Sequence, residues 1–266
     1  MNAKKRLLLA FAAAGVACSL SALAEPLTMQ WTVDGVPREA LVFPPSATAA
    51  AAKAPLVFAF HGHGGTMRTA AGAMAIQTAW PEALVVYMQG LPTVSPNDQQ
   101  GRYPGWQHQV GESGDRDLKF FDAALASLRE RFPVDDHRVY STGFSNGGSF
   151  SYILWGTRGS VFAAFASCAG SLAKPPFRLT VPKPLLHIGG QADKVVAFED
   201  QLQTIETARL LDGSSGKGEA CGADCTSYPS SKGAPVVTVI HSGGHVYPPW
   251  ASAKIVEFFK DRALKP

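Results

Sequence analysis

Residues 27–33 and 37–43 alternate loosely between apolar and polar side chains and flank the turn pair Asp34-Gly35. That pattern predicts an antiparallel hairpin near the start of the chain. An Ala-rich link, 47–54, leads onward. Short apolar runs then recur at 55–60, 83–88, 138–143, 161–167, 184–189 and 235–240, and read as buried strands. Between them the period changes. Over 115–131, Leu118, Phe121, Ala124, Leu125 and Leu128 recur at helical spacing before Pro133 stops the run. Residues 148–155, 198–211 and 250–263 supply further helices. Strands separated by helices predict a mostly parallel sheet covered on both faces. No internal repeat, heptad array or long charge block interrupts this organisation.

The first 24 residues have a different character. Lys4, Lys5 and Arg6 precede an apolar stretch from Leu7 to Leu20 and a small-x-small end at Ala22-Leu23-Ala24. This is the layout of a signal peptide, with cleavage expected before Glu25 and export as the consequence. The apolar run is shorter than the roughly 20 residues that span a bilayer. Residues 25–266 are expected to form a single α/β domain, for which a monomer is the simplest state. Without the leader, Lys+Arg falls from 24 to 21 and equals the 21 Asp+Glu. A net charge of zero gives no argument for nucleic acid or an anionic membrane as partner.

Cys221 and Cys225 lie close together in a polar, Gly- and Ser-rich stretch, as expected for a local disulfide in an oxidising compartment. Cys168 follows an apolar run and reads as a buried free thiol.

Gly143-Phe144-Ser145-Asn146-Gly147 matches the G-x-S-x-G elbow, which turns a strand sharply into a helix and presents a serine hydroxyl above the sheet edge. The flanking segments fit, since 138–142 reads as strand and 148–155 as helix. A serine hydroxyl needs a base to take its proton, and that base needs an orienting acid. Asp193, after strand 184–189 and the turn 189–192, is positioned to be the acid. His245, after strand 235–240 and the loop 241–244, is positioned to be the base, with His241 as its competitor. Backbone N–H groups must also meet the oxyanion. Asn146 supplies one, and His63, in the loop His61-Gly62-His63-Gly64-Gly65-Thr66, is expected to supply the second. His61-x-His63 would offer a metal two imidazoles but no third ligand, so no metal and no cofactor is expected.

Taken with Asp117-Leu-Lys-Phe-Phe-Asp-Ala-Ala-Leu125, Val134-Asp-Asp-His-Arg-Val-Tyr140, His187-Ile-Gly-Gly-Gln-Ala-Asp193 and Gly243-Gly-His-Val-Tyr-Pro248, these segments resemble the poly(3-hydroxybutyrate) depolymerase and feruloyl esterase family of secreted α/β-hydrolase esterases. The resemblance covers roughly residues 55–250. It implies an α/β-hydrolase fold, a triad of Ser145, Asp193 and His245, and oxyanion donors at His63 and Asn146. Tyr247 stands where the family often has tryptophan, and His63 where it often has cysteine. Extracellular depolymerases commonly append a polymer-binding domain, whereas this chain ends at Pro266 after its last predicted helix. Soluble feruloyl or acetyl esters, or hydroxybutyrate oligomers, are therefore expected rather than solid polymer.

Trp106, in the long polar loop 90–114, together with Tyr247 and Trp250 beside His245, are candidates for stacking on an acyl group or a sugar. A loop-anchoring role is the competing reading for Trp106, and Asp117 reads as a helix support. The expected reaction is hydrolysis of a carboxylic ester through an acyl-enzyme. An acyltransferase of the same fold and a secreted, non-catalytic binding protein are the alternatives.

Overall fold

The computed structural model describes residues 25–46, 53–173, 175, 177–214 and 216–265. The predicted leader and most of the Ala-rich link lie outside the described residues. Chain order gives strands β1 (Leu27–Val33), β2 (Val36–Phe43), β3 (Ala54–Phe60), β4 (Leu84–Met88), β5 (Leu91–Pro92) and β6 (Pro104–Gly105). Strands β7 (Val134–Phe144), β8 (Ala164–Cys168), β9 (Leu185–Gly190), β10 (Glu219–Gly222), β11 (Cys225–Tyr228) and β12 (Val236–His241) follow. The helices are α1 (Met67–Met74), α2 (Ile76–Ala79), α3 (Arg116–Arg131), α4 (Asn146–Arg158), α5 (Phe198–Asp212) and α6 (Ala251–Lys260).

Ten strands form one sheet in the order β1-β2-β4-β3-β7-β8-β9-β12-β11-β10. From β4 to β12 every neighbouring pair is parallel, while β1-β2, β2-β4, β12-β11 and β11-β10 are antiparallel. All seven residues of β3 and all five of β4 and β8 are buried. This is why they read as continuous apolar runs rather than as alternations. Side chains on one face of the sheet, among them Phe58, Phe60, Val139 and Phe165, pack with Phe121, Leu128, Phe150 and Ile205 of α3, α4 and α5. On the opposite face, Val57, Ala59, Tyr140 and Ile188 pack with Met67, Met74, Ile255 and Phe259 of α1 and α6.

Helix α1 and the hairpin β10-β11 were not expected from the sequence. Helix α1 is a short helix begun by Thr66 and Thr69, which exchange side-chain and backbone hydrogen bonds as a capping box. The Cys221 stretch is a hairpin, with Cys221 and Cys225 joined by a disulfide across its turn, and it extends the sheet by two strands.

After β3 the chain proceeds to β4 on one side, while β7 to β9 build outward on the other. Loops leaving the carboxyl ends of adjacent strands therefore diverge, and the crevice between them is where open α/β sheets bind ligands.

Candidate active site

Ser145 sits at the carboxyl end of β7 with φ 56° and ψ −123°, a left-handed conformation that non-glycine residues seldom adopt. Surrounding contacts enforce it. Its N–H donates to the Cys168 carbonyl at 2.8 Å, and its own carbonyl accepts from Ser149 at 2.9 Å to start α4. The flanking glycines are required by close approach. A Cβ on Gly147 would lie 2.2 Å from the Phe60 carbonyl oxygen, and one on Gly143 would lie 2.3 Å from the Gly147 carbonyl carbon. Strand β3, β7 and α4 thus cross at van der Waals contact of backbones, and the serine is lifted out of the turn.

Residues distant in sequence converge on it. His245 Nε2 lies 2.8 Å from Ser145 Oγ, and His245 Nδ1 lies 2.8 Å from Asp193 Oδ2. A carboxylate can only accept, so Nδ1 carries the proton and Nε2 presents its lone pair to the serine hydroxyl. Asp193 is buried, and its Oδ1 accepts from the N–H groups of Val195 and Val196 at 2.9 and 3.1 Å. The competing base, His241, is occupied elsewhere: its Nδ1 accepts from the Gly243 N–H at 3.1 Å, and its ring meets the edge of Trp250.

Among the described residues, neither the His63 nor the Asn146 backbone N–H donates to a protein acceptor. The two loops that carry them are in contact, since a Cβ on Gly62 would lie 3.4 Å from Ser145 Cβ. A Gly64 N–H bond to the Pro104 carbonyl, at 2.7 Å, and the His63 ring, 3.3 Å from Asp98, tie the loop to the 90–114 segment. Beneath it, buried His61 accepts the Gly90 N–H on Nε2 at 2.9 Å and donates from Nδ1 to the Gly62 carbonyl at 2.8 Å. Burial, opposed by the Gly62 carbonyl, pushes its pKa down to about 4, so it is neutral in this frame. It is a structural histidine beneath the loop. No group of three or more His, Cys, Asp or Glu among the described residues is placed to hold a metal ion.

The aromatic candidates separate. Trp106 is fully buried, donates from Nε1 to the His61 carbonyl at 2.9 Å and packs on Phe60, His61 and Phe150. The expectation that it stacks on substrate is therefore corrected: it anchors the 90–114 loop from inside. Trp250 is 39% exposed at the start of α6, against His241. Tyr247 lines an open cleft of about 210 Å³, together with His61, Gly62, His63, Gly65, Thr69, Ala70, Ala73, Met74 and Phe144. This space lies between the His61–Thr66 loop, α1 and the residue preceding the serine. Ser145, Asp193 and His245 do not line this space themselves, but Phe144, beside Ser145, does; a larger groove of about 520 Å³, lined by Trp31, Arg38, Glu39 and Gln89, lies on the β1-β2 side and involves neither these residues nor their chain neighbours.

Sequence reasoning missed the side chain of Asn146. Its Oδ1 accepts the Trp106 N–H at 2.7 Å and its Nδ2 donates to the Trp106 carbonyl at 3.1 Å. Asp117 performs a matching task. It pairs with Arg38 at 2.7 Å and accepts the Gln107 N–H at 2.8 Å, fixing the same loop.

The chain is 28% identical over 200 residues to feruloyl esterase C of Emericella nidulans, covering 71% of the chain and 69% of that enzyme. It is 28% identical over 116 residues to the bifunctional acetylxylan esterase/xylanase XynS20E of Neocallimastix patriciarum, covering 44% of the chain and 15% of that enzyme. The chain is a distant homologue of feruloyl and acetylxylan esterases. By that homology it is a carboxylic ester hydrolase. Acetyl xylan esterase from Aspergillus awamori shares the esterase's α/β-hydrolase fold at TM-score 0.67, with 15% identity, covering 88% of this chain and 99% of that one. No family model matches the chain.

Proposed function

We propose that this esterase is a serine hydrolase in which Ser145, His245 and Asp193 form the catalytic triad, and His63 and Asn146 donate backbone N–H groups to the oxyanion. The observation that carries this reading is the unbroken hydrogen-bonded line from Asp193 Oδ2 through His245 to Ser145 Oγ, with 2.8 Å at both links. His245 takes the serine proton as Oγ attacks the ester carbonyl carbon. The carbonyl oxygen becomes an oxyanion facing the two N–H groups. Collapse of the tetrahedral adduct breaks the bond to the alcohol oxygen, which leaves with the proton from His245. Water, deprotonated by the same imidazole, then cleaves the acyl-enzyme and restores Ser145.

The small, largely apolar cavity beside Phe144 favours a compact, uncharged acyl group. Soluble feruloyl or acetyl esters are the substrates we assign, with short hydroxybutyrate oligomers as the second reading. The Cys221–Cys225 disulfide and the leader-like N-terminus both support action outside the cytoplasm. A hydrolysis panel of methyl ferulate, acetylated xylan, 3-hydroxybutyrate oligomers and short p-nitrophenyl esters tests the substrate class. Ser145→Ala is expected to abolish all turnover and labelling by a fluorophosphonate, with the fold unchanged. Substantial retained hydrolysis would remove Ser145 from the mechanism, and product formation with a competing alcohol in preference to water would reassign the chain as an acyltransferase.

A further inference from the structure

Behind Asp193 a second line of polar side chains runs into the core. Gln201 of α5 is fully buried and donates from Nε2 to Asp193 Oδ2 at 3.0 Å and to the Val196 carbonyl at 2.8 Å. Both amide hydrogens are thereby used, and Oε1 remains to face His187 Nε2 at 3.1 Å. Since Oε1 can only accept, His187 carries its proton on Nε2. Its bare Nδ1 therefore accepts from the Tyr152 hydroxyl at 2.7 Å. His187 is fully buried, and burial, opposed by the Gln201 bond, pushes its pKa down to about 4. The ring is neutral where esters are turned over.

Every hydrogen in this line points the same way: Tyr152 to His187, His187 to Gln201, Gln201 to Asp193. If the Gln201 amide turned over, its oxygen would face the carboxylate and its NH₂ would face the His187 N–H. The Asp193 carboxylate and the Val196 carbonyl, which can only accept, oppose that, and the Tyr152–His187 line backs the same orientation from the core side. We propose that Gln201 is a positioning residue for Asp193, and that His187 and Tyr152 hold its amide in the donating orientation. This rests on the reading of Asp193 as the acid of the triad. With Gln201 in place, Asp193 accepts four hydrogen bonds, two on each oxygen, and its charge is shared between the protein frame and His245. Loss of the Gln201 donor leaves more of that charge to face the imidazolium, which favours the protonated ring.

The test compares Gln201→Met, Tyr152→Phe and the double variant in two measurements, the pH profile of kcat/KM and the NMR titration of the His245 ring. Gln201→Met is expected to lower kcat about 10- to 100-fold with KM nearly unchanged and to move the acid limb up by roughly half to one pH unit. The His245 titration moves by the same amount. Tyr152→Phe removes a single oxygen from the core and preserves folding. It is expected to act in the same direction by a few-fold, and to add nothing once Gln201 is gone, because its effect passes through that amide. An unchanged acid limb and His245 titration in both single variants would overturn the proposal, as would strictly additive effects in the double variant. The NMR titration needs no substrate, so it separates failure of this inference from failure of the esterase reading, which the wild-type hydrolysis panel reports.

Discussion

Asn146→Ala separates the two tasks assigned to one residue. The side chain clamps the 90–114 loop through two buried bonds to the Trp106 backbone, at 2.7 and 3.1 Å, while the backbone N–H is the proposed oxyanion donor. Alanine keeps the N–H and strands the Trp106 N–H and carbonyl. Each buried, unpaired polar group costs about 1–3 kcal/mol, and partial relaxation brings the expected loss to about 2–4 kcal/mol. For a domain of this size each kcal/mol lowers Tm by about 2–4 °C, so a fall of about 5–15 °C is expected. Catalysis should suffer far less. Removal of an oxyanion donor costs about 100- to 1,000-fold in kcat, whereas here the donor stays and a loss within about tenfold is expected. Thermal unfolding followed by circular dichroism, with steady-state hydrolysis of p-nitrophenyl acetate well below Tm, reads both quantities. A kcat loss beyond 100-fold with Tm unchanged would refute the reasoning, because it would put the side chain at the reacting oxygen.

Asp193→Asn should lower kcat by about 1,000- to 10,000-fold at similar KM, because an amide cannot accept from His245, Gln201, Val195 and Val196 together, and the imidazole proton moves to Nε2, where it blocks the serine. A loss below tenfold would refute this. Stability should depend on pH with two opposing slopes. His61 and His187 are held near pKa 4, below the unfolded value of 6.5, so each contributes up to about 3 kcal/mol above pH 6.5 that is lost as pH falls through 4. Asp212 is raised to about 8 by burial, against the Lys183 N–H and Lys232, so its contribution is present below pH 4 and lost as pH rises through 8. Asp212→Asn should therefore stabilise the protein at pH 8 and abolish the decline above pH 6.5, which chemical denaturation at pH 5, 6.5 and 8 would check. Replacing Cys221 and Cys225 by serine should cost about 2 kcal/mol or less, as the loop closed is short, and leave kcat unchanged, since the hairpin lies at the sheet edge.

The interior of the sheet was legible because strands such as β3 and β4, buried on both faces, leave no polar position to disguise them. The hairpin β10-β11 was not. All four residues of β10 are exposed, and Gly222 sits at φ 136°, so nothing in Glu219–Gly222 carries a strand signal. Helix α1 was hidden for another reason. Its eight residues include Gly72, and its start is marked by a Thr66–Thr69 pair rather than by the Glu or Gln that usually closes a capping box. At the site, Ser145, Asp193 and His245 could be chosen because chemistry demands those types at strand ends. Trp106 could not be placed, since a tryptophan in a polar loop is buried or exposed according to partners 40 and 45 residues away, Asn146 and His61. Gln201 was invisible for the same reason: its partners Asp193 and His187 are 8 and 14 residues distant, one in the loop after β9 and the other on β9 itself.

One wall of the cleft is α1, and the side chains it contributes there are Thr69, Ala70, Ala73 and Met74. None of them touches Ser145, His245 or Asp193 through a hydrogen bond. On the proposed reading, acyl selection and bond breaking reside on separate segments, one a short helix, the other the chain leaving the ends of β7, β9 and β12. Replacing the alanines of that helix by larger residues would therefore narrow the cleft while leaving the hydrogen bonds among Ser145, His245 and Asp193 in place.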